Sequence, residues 1–309
     1  MLLQNLRYLD ALAREQHFAR AATACQVTQP TLSAGIKQLE EELGLLVVQR
    51  GQRFEGLTPE GVRILHWARR VLSDCESLAQ EASLLKSGLV GRLRIGVIPV
   101  ALPSIALLTV PFAGRHPQVS VTVLSLSSTE IQRGLNDFSL DAGVTYLDNE
   151  PLSHARTIPL YQERYYLFTP ARGPLAAHDT ISWAQAATLP LCLLTPDMQN
   201  RRILNSIFGA AGAQLSTSIE TNSVVTLWGH VRSGAWSTIL PHPFLYLFGE
   251  PEGVRALPLE MGTPHHTIGL AIPDREPLTP SARELATLVE ELDIGSALER
   301  GVRRQPAKG

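Results

Sequence analysis

At 309 residues the chain is too long for one small core and, at roughly 100–200 residues per domain, reads as two or three domains. Hydrophobic residues at 44% against 18% charged exclude wholesale disorder, and a net charge of −2 with a pI near 6.5 excludes a uniformly basic nucleic-acid wrapper. Three cysteines, Cys25, Cys75 and Cys192, stand far apart without CxxC spacing, which excludes a disulfide framework or a thiolate zinc site and fits a reducing cytoplasm. The opening residues carry neither a basic leader nor an apolar h-region, and no window is apolar enough for a membrane span, so the expected compartment is the cytoplasm.

The first 53 residues hold six basic and five acidic side chains, so any polyanion contact there must be local. Leu2, Leu6, Leu9, Leu12 and Ala13 fall on one helical face. Ala19, Ala21, Ala22 and Ala24 then form a short helix small enough for a neighbour to approach closely. Thr28 is a good N-cap, and Pro30 sits in the first turn of a third helix, where its missing N–H costs nothing. From Gln29 to about Leu43, Leu32, Ile36, Leu39 and Leu43 face inward, while Gln29, Thr31, Ser33, Ala34 and Lys37 make a short polar outer face. Two helices joined by a tight turn, the second presenting small polar side chains near its N-terminus, suit insertion into a major groove. Gln can bond an adenine edge, Thr and Ser can bond bases or phosphates, and the helix N-terminus favours phosphate. The spacing alone also admits an ordinary helical hairpin. After Gly44, two short strands joined by a turn with Arg50 and Arg53 read as a basic wing or as a solvated hairpin with incidental arginines. Glu40, Glu41 and Glu42 are expected on a solvated helix end.

The segments HFARAA (17–22), TQPTLS (28–33), IKQLEEELG (36–44), VQR (48–50) and LTPEG (57–61) resemble, in order and spacing, the N-terminal domain of LysR-type transcriptional regulators. The resemblance implies a winged helix-turn-helix over 1–58 that binds double-stranded promoter DNA. It implies contacts by Gln29, Thr31, Ser33 and Lys37, with Thr28 and Pro30 at the helix start, Arg50 and Arg53 on the wing and Arg20 on phosphate. RNA polymerase is a further partner that it allows.

Thr58 and Pro59 open a long helix over about 59–88. Leu65, Ala68, Leu72, Cys75, Ala79 and Ala82 recur at alternating spacings of 3 and 4, flanked at sevens by Ile64, Val71, Leu78 and Leu85. The stripe is expected to be a dimer seam, as similar regulators use, in a homodimer or homotetramer. The alternative is packing on the chain's own front domain.

From about residue 91 short apolar runs alternate with helical stretches, as in an α/β region. LRIGVIP (93–99), SLDAGVT (139–145) and TIGLAIP (267–273) resemble strands of the family's effector domain, a two-lobed α/β fold of periplasmic-binding-protein type. Lobe one is expected over about 91–162 plus 268–300 and lobe two over about 163–267, with crossovers near 161–164 and 265–267. Ser127, Ser128 and Thr129 precede one helix, and Thr221, Asn222 and Ser223 another. Two helix N-termini facing one crevice would suit a small anion or carboxylate, although each residue can be read as a cap alone. The resemblance adds Val100, Ala101, Thr195 and the loop Met198, Gln199, Asn200 and Arg201. The expected effector set is Val100, Ala101, Ser128, Thr129, Thr195, Gln199, Arg201, Asn222 and Ser223.

Redox-sensing relatives use paired cysteines in the second lobe. This chain carries Cys192 there, so thiol sensing is disfavoured. No phosphate-binding glycine loop, GxSxG or HExxH occurs, and the adjacent His265 and His266 would point apart on a strand. No catalysis, metal or cofactor is expected. The reading is a DNA-binding regulator that responds to a small molecule. The alternative is a cytoplasmic solute-binding protein whose front helices serve assembly.

Overall fold

The structure, a computed structural model, describes residues 2–49, 54–150, 152–175, 177–215, 217–260 and 265–303. The chain divides into two compact units, Met1–Gly91 with Asn136–Ser139, and Arg92–Leu135 with Leu140–Gly309. No described helix is long and apolar enough to cross a membrane.

In the first unit, α1 (Leu3–Glu15), α2 (Phe18–Ala24) and α3 (Gln29–Leu43) precede α4 (Pro59–Leu84). Each boundary has a local cause. Gln16 ends α1 in the left-handed region at φ 51°, His17 caps α2 by accepting the Ala19 N–H, and Gly44 closes α3 at φ 67°. Thr58 does two jobs: its hydroxyl accepts the Gly61 N–H at 2.8 Å and donates to the Leu46 carbonyl at 2.7 Å. The core is one cluster: Leu6, Leu9 and Leu12 of α1, Ala21 and Ala22 of α2, Leu32, Ile36 and Leu39 of α3, and Val47 and Val48.

Leu65 and Ala68 belong to that same cluster, and Leu72 packs against it. These three residues of the expected seam therefore serve the chain's own core. Cys75 is half-buried, Ala79 and Ala82 are exposed, and the large apolar side chains that α4 leaves exposed are Val62, Trp67 and Leu78, followed just past its end by Leu85. A 3/4 spacing cannot tell which helix a stripe meets. The shorter covered half meets its own domain.

In the second unit, β1 (Gly91–Val97), α5 (Ala106–Arg115), β2 (Val119–Ser125), α6 (Ser128–Asn136), β3 (Ala142–Tyr146) and β4 (Ala155–Gln162) build the first lobe. There follow β5 (Tyr165–Pro170), α7 (Trp183–Ala186), β6 (Leu191–Leu194), α8 (Gln199–Ala210), β7 (Thr217–Thr221), α9 (Val224–Arg232), β8 (Thr238–Pro241), α10 (Pro243–Phe248) and β9 (Val254–Pro258). The chain then returns through β10 (Thr267–Pro273), α11 (Pro280–Glu291) and α12 (Ile294–Arg303). Lobe one is a five-stranded sheet in the order β2-β1-β3-β10-β4, with β1 and β3 parallel and β10 antiparallel to both β3 and β4. Lobe two holds β8-β5-β9 and the parallel pair β6-β7, joined by a bridge between Leu191 and Ser237. The strands of β3 and β6 are buried throughout, as expected of strands covered on both faces. Two crossovers link the lobes, Gln162 to Tyr165 outward and Pro258 to Thr267 back, and the Glu163 N–H donates to the His266 carbonyl at 2.8 Å, tying one to the other.

Candidate DNA-reading face and effector cleft

Helix α3 is divided lengthwise. Leu32, Gly35, Ile36, Leu39 and Glu40 are buried, whereas Gln29, Pro30, Thr31, Ser33, Ala34 and Lys37 are exposed, with Thr28 exposed at the cap. The Thr28 and Thr31 hydroxyls lie 2.8 Å apart, so both are held at the start of the helix, where the N–H groups gather partial positive charge. Lys37 meets Glu41 at 3.4 Å with both side chains about two-thirds exposed; such a pair is worth little and yields readily to a phosphate. Arg20 is exposed on α2, one guanidinium nitrogen donating to the Glu15 carbonyl at 2.6 Å. Arg50 and Arg53 lie outside the described residues.

Glu40 corrects the sequence reading. It is buried rather than solvated, and its Oε1 accepts the N–H groups of Val47 at 2.9 Å and Val48 at 3.2 Å. The carboxylate thereby fixes the chain after Gly44 to the base of α3. Its place at i+4 from Ile36, on the inner stripe, was the available signal. Glu41 and Glu42 are exposed, as expected.

In the second unit a small cavity is lined by Ile98, Pro99 and Val100 after β1, Ser127 and Ser128 at α6, Tyr146 at the end of β3, Leu194 of β6, and Met198, Gln199 and Asn200 at the start of α8. Helix α6 can reach this position because β3 carries a glycine beneath it: a Cβ at Gly143 would lie 2.4 Å from Ile131 Cγ2. Ser127 is the cap of α6. Its hydroxyl and N–H both donate to Glu130 Oε2 at 2.8 Å, and its oxygen accepts the Glu130 N–H at 3.3 Å. That leaves Ser128, buried, with an Oγ that has no hydrogen-bond partner among the described residues. Asn200 donates to the Tyr146 hydroxyl at 3.0 Å and Gln199 to the Asp148 carbonyl at 3.4 Å.

Of the expected effector residues, the structure brings Val100, Ser128 and Gln199 to the cavity. Ala101 is buried without lining it, Thr129 is exposed on α6, and Thr195 donates its N–H to Thr221 while its hydroxyl has no partner among the described residues. Arg201 is turned away. Its guanidinium bonds Leu194 O and Glu220 at 2.8 Å and Thr217 at 3.0 Å, and its Nε bonds Asn205 at 2.9 Å, which spends the charge inside lobe two and holds the Glu220 carboxyl below its usual range. Ser223 caps α9 and Asn222 is exposed. The second helix N-terminus at the cavity is therefore that of α8, not α9. No described lining side chain carries a charge, so an anion would rest on N–H groups of α6 and α8 and on Ser128.

Tyr146 was missed, since a tyrosine ending an apolar strand gives no local sign of what it faces. Its hydroxyl donates to Glu163 Oε2 at 2.8 Å. Cys192 is fully buried on β6 and does not line the cavity. Burial pushes its thiol up to about 11, and Sγ approaches the Ser237 and Leu227 carbonyls at 3.5 and 3.8 Å.

Residues 3–62 match the model of the bacterial regulatory helix-turn-helix protein, lysR family, and residues 86–293 that of the LysR substrate binding domain. A hydrogen peroxide-inducible genes activator of Pectobacterium carotovorum subsp. carotovorum is 30% identical over 292 residues, covering 94% of this chain and 96% of that one. Among solved structures, a cysteine-to-aspartate variant of full-length OxyR from Pseudomonas aeruginosa superposes with a TM-score of 0.75 at 28% identity, over 96% of this chain and 99% of that one. Full-length CbnR in complex with its target DNA has the same fold, with a TM-score of 0.69 at 20% identity over 94% of this chain and 99% of that one. With both family models in chain order and the relatives matched nearly end to end, the chain belongs to the LysR family of DNA-binding transcriptional regulators, with an effector-binding domain behind its helix-turn-helix.

Proposed function

We propose that two or four copies of this chain bind a pseudo-palindromic promoter site through paired α3 helices in the cytoplasm, and that a small anion or carboxylate in the inter-lobe cavity alters that binding. The observation that carries the reading is the exposed polar face of α3, set on a helix whose other face is fixed in a core. Gln29, Thr31 and Ser33 would meet base edges and Lys37 a phosphate; Val62, Trp67, Leu78 and Leu85 are the apolar groups a second copy would cover. Titrating promoter DNA at several salt concentrations tests it. Lys37→Ala is expected to weaken binding to all sequences and to reduce the salt slope by about 1, whereas Gln29→Ala relaxes discrimination at one base pair by about 1–3 kcal/mol. Affinity indifferent to salt and to both substitutions overturns the reading.

For the cavity, the uncharged lining and the N–H groups at the starts of α6 and α8 favour a small anion. Calorimetric titration with small monocarboxylates is expected to show binding that Ser128→Ala weakens about tenfold, by removing a buried donor. The peroxide response named for the relative is not carried over. Cys192 has neither the exposure nor the lowered pKa of a reactive thiol, so DNA footprints are expected to be the same with and without peroxide, in the wild type and in Cys192→Ala.

A further inference from the structure

The outward crossover carries a buried carboxylate that the DNA-reading face and the cavity leave unused. Glu163 is 2% exposed and stands between β4 and β5, where the chain passes from one lobe to the other. Two phenols from opposite lobes, Tyr146 of β3 and Tyr165 of β5, donate to its Oε2 at 2.8 and 2.9 Å. Asn200, at the start of α8, donates in turn to Tyr146 at 3.0 Å, so the chain of bonds runs from the cavity wall to the crossover. Oε1 has no partner among the described residues.

The neighbouring groups supply no compensating charge. Tyr161 of β4 bonds Ser104 at 3.3 Å, and Arg164 turns to Glu299 of α12 at 3.3 Å. His242, ahead of α10, accepts the Arg164 N–H at 3.3 Å through Nδ1, and His266, on the return crossover, packs edge-on against Tyr146, its Nδ1 without a partner among the described residues. Asp148, which bears on His266, accepts the Thr267 N–H. A carboxylate has about four lone-pair sites, and here two neutral donors answer it. Burying such a charge is costly, and an excess electron pair so placed is relieved either by a proton or by water.

We propose that Glu163 is a proton-operated latch between the lobes: with its carboxyl neutral the Glu163–His266 tie stays closed, and when it ionises that tie opens far enough for water to reach the carboxylate. The closed geometry agrees in pushing this carboxyl up to about 7, through burial, while the phenol bonds oppose the shift. His242, pushed down to about 4 by burial and Arg164, is neutral across the range that matters, and burial also holds His266 below its usual value. The latch does not depend on what the cavity holds, so its failure would leave the effector reading standing.

Two measurements on the full-length protein without added ligand test it between pH 6 and 8.5. Infrared difference spectra should show a buried protonated carboxyl that disappears as pH rises through about 7 and is missing in Glu163→Gln. Hydrogen exchange, corrected for the intrinsic pH dependence, reports the crossover directly, because the Glu163 N–H is bonded to His266. In the wild type this amide should exchange at least tenfold faster at pH 8.5 than at pH 6, and in Glu163→Gln it should be slow at both. Tyr146→Phe removes a bond that favours the charged form and should lower the pH at which opening sets in only if the proposal is wrong; the proposal requires the carboxyl transition to move to higher pH. Flat corrected exchange in the wild type, or Glu163→Gln opening like the wild type, overturns the latch.

Discussion

Gly61→Ala is expected to lower the melting temperature of the first unit by roughly 8–16 °C and to abolish DNA binding at temperatures where the wild type binds fully. Gly61 occupies the third position of α4, where its N–H is taken by the Thr58 hydroxyl, and a Cβ there would lie 2.0 Å from the Val47 carbonyl oxygen and 2.8 Å from its carbon. Those are backbone atoms that cannot step aside. The Val47 N–H is held by Glu40 and its carbonyl accepts the Thr58 N–H at 3.1 Å, so both ends of the residue are fixed by groups that are themselves buried or capping. Overpacking of this kind costs about 3 kcal/mol, more than the roughly 1 kcal/mol that alanine gains over glycine in a helix. For a unit of this size each kcal/mol is worth roughly 4–8 °C. Gly209 of α8 is the control: its Cβ would meet nothing within 4 Å, so Gly209→Ala is expected to stabilise by about 0.5–1 kcal/mol. Calorimetric melting of both variants decides, and a Gly61→Ala shift under 2 °C would remove the close approach as an explanation.

The same features separate what was legible in the sequence from what was not. Helix α3 was legible because its cap, its proline and its apolar spacing all act within a few residues, and local causes are what a sequence displays. The stripe on α4 was visible but its partner was not: Leu65, Ala68 and Leu72 carry the same 3/4 spacing whether they meet α1 or a second chain. Arg201 was misread for a geometric reason. It is adjacent to Asn200 in sequence, yet one helical step of about 100° turns it from the cavity toward Glu220. Glu163 was the hardest to read. Its burial is made by Tyr146, seventeen residues earlier, and by a return strand about a hundred residues later, and no local pattern distinguishes such a glutamate from one on a solvated loop.

Because Glu163 and His242 are both buried with opposite needs, wild-type stability should show almost no pH dependence from the pair between about pH 5 and 6.5. Glu163 has a folded pKa of about 7 against 4.5 when unfolded. The folded state therefore binds the extra proton, and the stability this brings is complete below pH 4.5 and lost as pH rises through about 7. His242 is the reverse: its folded value of about 4 lies below 6.5, so its contribution is complete above pH 6.5 and lost on acidification toward 4. Each gap of about 2.5 is worth about 3 kcal/mol, and across pH 5 to 6.5 the two slopes cancel. Glu163→Gln removes one side of the balance. Its stability relative to the wild type should grow by about 2–3 kcal/mol between pH 5 and pH 8, while His242→Gln should lose a similar amount relative to the wild type over the same range. Urea unfolding of the three proteins at the two pH values measures this directly, since every other titrating group is common to all three. Parallel pH profiles for wild type and Glu163→Gln would mean that the carboxyl is not held in an apolar setting at all, and the neutral form would then have no claim on the closed crossover.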